Sequence, residues 1–152
     1  MINQGINAKC KRLGIDQVYL DRQLMQKKVC MTKDIGLNDN LFGGFLLQWI
    51  DESAAGHVSE AIGHRRVVTL KMSEVLFEAP VKVGDIISID GTITSIGKTS
   101  ITIYVQVFNT RSRKEVCSTE MIYVHIDEQG NSTSIWNLIP EKIFRLHIKK
   151  EK

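Results

Sequence analysis

The chain has 152 residues, 43 % of them hydrophobic and 24 % charged, a balance that suits one globular domain with a single core and argues against disorder or a coiled coil. Its net charge of +3 is mild, and the basic residues scatter in pairs (Lys27–Lys28, Arg65–Arg66, Arg113–Lys114, Lys149–Lys150), which points to solvated loops and strand ends rather than a nucleic-acid face. No apolar run approaches membrane-spanning length, no signal-peptide core opens the chain, and Cys10, Cys30 and Cys117 lack metal-ligand spacing, so a reduced cytoplasm is the expected location.

Residues 1–23 are polar and irregular. Residues 24–32 (LMQKKVCMT) predict a first strand, followed by the turn-forming loop KDIGLNDN. A long helical pattern then runs from Gly43 or Gly44 to about Ile62, with Asn40 as the expected N-cap and Gly63 as the stop. Beyond His64 the period changes to alternation. Strands are expected over 66–78, 85–96, 99–109 and 115–126, the third with Ile101, Ile103, Val105 and Val107 on one face. In the fourth, Val116, Ser118, Glu120, Ile122, Val124 and Ile126 form one alternating set. Pro140 opens an amphipathic stretch in the tail, expected to pack on its own or a neighbouring subunit. The division expected is an irregular segment (1–23), a folded domain (24–130) and a tail (131–152). Short connections imply antiparallel neighbours, hence an α+β domain with one helix across one sheet.

On a helical wheel, Leu46, Leu47, Ile50, Ala54, Ala55, Val58, Ala61 and Ile62 share one side, and Asp51 falls among them. Glu52 joins Gln48 and Ser59 on the polar side. An unpaired carboxylate among apolar neighbours is costly and is driven toward a raised pKa, which suits general-base or nucleophilic work. A structural Asp paired to a neighbouring group fits the wheel equally well. Gly43–Gly44 stand where the helix begins, where backbone N–H groups lack intrahelical partners and can meet a carbonyl oxygen gaining negative charge. Paired glycines also serve tight helix–sheet packing. Phe45 and Trp49, one turn apart, form an apolar pair on the polar face, there for contact with another subunit or for cover by another segment of the same chain.

Four runs carry a resemblance. LFGGFLLQWIDESA (41–54), RRVVTLKMSEVLFEAPVKVGD (65–85), SIGKTSITIYVQV (95–107) and EMIYVHID (120–127) resemble, in order, motifs of the hotdog-fold acyl-CoA thioesterases of the acyl-CoA hydrolase family. The resemblance implies a long helix wrapped by a curved antiparallel sheet. It also implies homodimers with active sites at the dimer interface, often assembled as trimers of dimers, and metal-free hydrolysis of acyl-CoA to free acid and CoA. It puts the catalytic carboxylate at Asp51 and the carbonyl-binding helix start at Gly43–Gly44. Lys98, Thr99 and Ser100 resemble the turn near CoA, and Arg65 or Arg66 adds charge against its phosphates. Where many members carry an Asn followed three residues later by Gly, this chain has Gly36 and Asp39. Asn38 is the expected substitute for that amide, since Asn40 is assigned to the cap. A non-catalytic acyl-CoA-binding hotdog protein is the competing reading. A hotdog dehydratase would need a His base, and His57 and His64 sit too late on the helix.

Overall fold

The computed structural model describes residues 21–138. The expectations for residues 1–20 and for a tail helix from Pro140 lie outside them. In chain order come β1 (Gln23–Val29), α1 (Gly43–Ile62), β2 (Val67–Met72), β3 (Leu76–Phe77), β4 (Ile86–Ile96), β5 (Ser100–Asn109) and β6 (Glu115–His125). The strands form one antiparallel sheet in the order β1-β4-β5-β6-β2, with β3 also on β6. Helix α1 packs against β1, β2, β4, β5 and β6, so the sheet wraps it.

The core lies between helix and sheet. Alternation on β5 is as expected: Ile101, Ile103, Val105 and Val107 are buried. They meet Ile50, Ala54, Val58 and Ile62 of α1, each large side chain contributing on the order of 1.5–3 kcal/mol by leaving water. Gly63 ends the helix at φ 70° in the left-handed conformation, its N–H and that of His64 closing on the carbonyls of Glu60 and Ser59.

Several expectations are corrected. The strand expected over 66–78 is two, β2 and β3, because the β2–β6 pairing steps from Thr69 to Lys71 and leaves Leu70 as a bulge before the chain loosens at 73–75. On β6 the single alternation breaks: Val116 is buried, and so are Cys117, Thr119, Met121 and Tyr123 of the other parity. A register shift opposite Val107–Phe108 inserts one residue and flips the parity of everything after it. The buried stripe of α1 is rotated from the wheel. Trp49 and His57 are inside while Leu47, Ala55 and Asp51 are half-buried at its edge, and Lys28 and Gln26 of β1 lie against Trp49 and Ser53. Trp49 is therefore covered by its own chain, with the Lys28 ammonium 4.8 Å above its ring.

Candidate active site

Asp51 sits midway along α1 at the edge of the core, and its carboxylate, which the wheel left open between unpaired and paired, has two donors. Thr69 Oγ1 of β2 and the Tyr123 hydroxyl of β6 both donate to its Oδ1, at 2.7 and 2.8 Å. The sheet explains the convergence, since Thr69 and Tyr123 are direct cross-strand partners. The Tyr123 hydroxyl is also 3.1 Å from the Asp51 carbonyl oxygen. Burial, and then the bond to the Asp51 carboxylate, push the Tyr123 pKa far above the ordinary phenol range. The group is thus a fixed hydrogen donor. Among the described residues no hydrogen bond reaches Asp51 Oδ2.

The start of α1 differs from the sequence expectation. Its N-cap is Phe42, not Asn40, and no side chain caps it. The Phe42 carbonyl takes the N–H groups of Phe45 (3.0 Å) and Leu46 (3.3 Å), while the Phe42 N–H donates to Asp34 O at 2.9 Å. That leaves the N–H groups of Gly43 and Gly44 with no acceptor among the described residues. The Phe42 ring stacks edge-on to Phe45, with centroids 5.4 Å apart. A Cβ on Gly44 would come within 2.7 Å of that ring, and one on Gly43 within 3.4 Å of Phe77. A side chain at residue 44 would have to push aside the exposed Phe42 ring, whereas residue 43 has ordinary contact room.

The preceding loop separates the two asparagines. Asn38 is exposed and left-handed (φ 62°), in a turn with Asp39 (φ 55°). Asn40 lines a cleft of ≈ 380 Å³ with Leu41, Gly43, Leu46, Phe77 and Pro80. Its side-chain Oδ1 is buried and has no hydrogen-bond partner. The ground for preferring Asn38, that Asn40 is committed to capping, is removed.

The basic and turn residues assigned to CoA gather at one end of the sheet. The Thr99 carbonyl accepts from His125 N (2.8 Å) and the Arg66 carbonyl from the next residue, Ile126 N (2.9 Å). Lys98 and Ser100 flank Thr99 in the β4–β5 turn. Arg65 and Arg66 border a cleft of ≈ 540 Å³ with Glu60, Gly63 and His64, and Arg66 pairs with exposed Glu128 at 2.8 Å. This end lies roughly 18 Å along the helix from Asp51, at 1.5 Å per residue. Among the described residues no group of His, Cys, Asp and Glu is arranged to hold a metal, and no helix is long and apolar enough to cross a membrane.

Thr69 and Tyr123 are the site residues that sequence reasoning missed. The signal available was only their place in alternating strands.

The family model of the thioesterase superfamily matches residues 38–116, a span that includes α1, Asp51, Thr69 and the β4–β5 turn. The chain belongs to the thioesterase superfamily. Among thioesterases of known sequence it is 30 % identical over 115 residues to the acyl-CoA thioester hydrolase YciA of Salmonella typhimurium, covering 71 % of this chain and 86 % of that one. A hexameric hotdog-fold thioesterase of Campylobacter jejuni superposes with a TM-score of 0.65 at 32 % identity, over 82 % of this chain and 96 % of its own. A hexameric thioesterase of Yersinia pestis gives a TM-score of 0.70 at 28 % identity, over 74 % and 93 %. The thioesterase fold here is accordingly the hotdog arrangement, one long helix wrapped by an antiparallel sheet.

Proposed function

We propose that this protein hydrolyses acyl-CoA thioesters as a homo-oligomer, with Asp51 as the reacting carboxylate and the Gly43 and Gly44 N–H groups holding the thioester oxygen. The observation that carries the reading is the pairing of two free N–H groups at the start of α1 with a half-buried carboxylate that keeps one oxygen open. Seven or eight helical residues separate them, roughly 10–12 Å along the axis, whereas reacting atoms must approach to about 3–3.5 Å. One chain's helix start therefore needs another chain's carboxylate. That requirement, with the exposed apolar side chains Val68 and Leu70 on terminal strand β2, supports a dimer with shared sites. The hexameric thioesterases of similar fold support its assembly into trimers of dimers.

As general base, Asp51 takes a proton from water while the water oxygen bonds to the carbonyl carbon. The C–S bond then breaks, and the CoA thiolate takes up that proton. As nucleophile, Asp51 bonds to the carbon first, expels the thiolate, and water splits the resulting anhydride. The basic groups Arg65, Arg66 and Lys98, with Thr99 and Ser100, fit the phosphates of CoA. Asn40, whose side-chain Oδ1 is buried without a partner, and Asn38 are the two amides available to orient water or carbonyl. The free, buried Cys30 and Cys117 support a reducing, cytoplasmic setting.

Thiol release from acetyl- to palmitoyl-CoA is the test. Asp51→Asn should lower the turnover number by on the order of 10²–10⁴-fold with the oligomer intact. Near-normal turnover would remove Asp51 from the reaction. Tight CoA-ester binding with no thiol release by the natural chain would favour a binding protein instead.

A further inference from the structure

We infer that Tyr123 is the positioning residue for Asp51, holding Oδ1 in place so that Oδ2 is the oxygen that reacts. The inference rests on the reading of Asp51 as the reacting carboxylate. Its basis is geometric. One phenolic hydrogen faces three acceptors: Asp51 Oδ1 at 2.8 Å, Asp51 O at 3.1 Å and Met121 Sδ at 3.9 Å. The charged acceptor is also the nearest, and charge-assisted bonds are the stronger ones. Because the carbonyl and Oδ1 of the same residue both lie within reach of one hydroxyl, the Asp51 side chain is folded back against its own turn. The terminal torsion of an aspartate is broad and roughly two-fold, so nothing intrinsic to it distinguishes the two oxygens.

Two hydroxyls share Oδ1, but they are not equivalent. Thr69 is exposed on the terminal strand β2, so packing within the chain does not fix its hydroxyl. Tyr123 is 1 % exposed, seated on β6 between Ile101 of β5 and Thr69 of β2. A phenylalanine there keeps the packing and leaves Oδ1 no buried donor. The carboxylate then turns, and Oδ2 leaves the line of approach. Burial and the Asp51 carboxylate raise the Tyr123 pKa, which keeps its hydroxyl the donor to Oδ1. In the base route Oδ2 receives the proton of water as the water oxygen bonds to carbon, and returns it to the departing thiolate. In the nucleophilic route Oδ2 itself bonds to carbon as the C–S bond breaks.

The experiment compares Tyr123→Phe, Met121→Leu and Asp51→Asn in the full chain, each normalised to its folded fraction. A misplacement of about 1 Å costs on the order of a hundredfold, so Tyr123→Phe should lower kcat about ten- to hundredfold while KM stays within about twofold. Met121→Leu disturbs the same packing at nearly constant volume but spares the hydroxyl, and should keep kcat. An unchanged kcat in Tyr123→Phe alongside an inactive Asp51→Asn overturns the role of Tyr123 and leaves that of Asp51 standing. Equal losses of kcat and melting temperature in Tyr123→Phe and Met121→Leu overturn it in favour of a packing role, as does failure of Tyr123→Phe to fold. Full activity in Asp51→Asn removes the reading beneath it.

Discussion

The buried side-chain oxygen of Asn40 yields the sharpest prediction. Had Asn40 capped α1, truncation would cost about 1 kcal/mol of stability. Its Oδ1 instead lies buried without a partner in the cleft beside Gly43, and an unmade buried hydrogen bond is itself a penalty of about 1–3 kcal/mol. Asn40→Ala removes that penalty while losing the contacts of three side-chain atoms beyond Cβ, on the order of 1 kcal/mol. The two nearly cancel, so stability should stay level or rise. In a chain of this length 1 kcal/mol corresponds to about 2–4 °C. Melting temperature should therefore not fall by more than about 3 °C. If the amide meets the attacking water or the thioester oxygen, turnover should fall on the order of 10²-fold, the scale of losing one polar contact made to the developing charge. Asn38→Ala, at an exposed left-handed turn, should leave turnover nearly unchanged. Calorimetry and thiol release on both variants decide the matter. An Asn40→Ala chain that melts several degrees lower yet turns over normally would refute the reasoning and return Asn38 to consideration.

Further outcomes follow from other parts of the structure. Leu70 is 65 % exposed on the bulge of β2, so Leu70→Glu should shift the assembly toward monomers by light scattering and remove activity. An active assembly of unchanged size would exclude β2 from the interface. Arg66→Ala and Lys98→Ala should raise KM for CoA thioesters several-fold with kcat unchanged and the effect weakening in salt. On an N-acetylcysteamine thioester, which lacks the nucleotide, the same variants should behave as wild type. Burial pushes the Cys117 thiol up to about 12 and raises that of Cys30 as well. In a Cys10→Ser chain, therefore, a disulfide reagent should react with neither until denaturant is added. Rapid labelling of the native chain would show that these strands open.

Helix α1 was legible because its signals agree: apolar spacing, a run of 20 residues and a glycine stop that adopts φ 70°. The β5 face was legible because Ile101, Ile103, Val105 and Val107 admit one parity. Residues 115–126 admit two, since β-branched and polar residues occur in both sets. The choice depends on a bulge in pairing with a strand elsewhere in the chain, which no local pattern encodes. That ambiguity concealed Tyr123, and the bulge at Leu70 similarly obscured which β2 residues face the helix. Asp51 was legible as an acid beside apolar neighbours, but its hydrogen-bond partners belong to cross-strand register. The cap was misread because Asn40 has the right chemistry three residues before the glycines, while the loop closes instead through Asp34 O and the Phe42 N–H.

An aromatic ring at the N-cap is a poor choice for thermal endurance. Serine or aspartate at residue 42 would satisfy a first-turn N–H and stabilise the chain by about 1 kcal/mol. In the mechanism proposed above, the same oxygen would occupy a donor assigned to the thioester, and an aspartate would bring negative charge to the place assigned to its oxyanion. On that mechanism, selection for heat resistance and selection for turnover pull residue 42 in opposite directions. Attempts to toughen this enzyme by optimising helix caps should begin elsewhere on the chain.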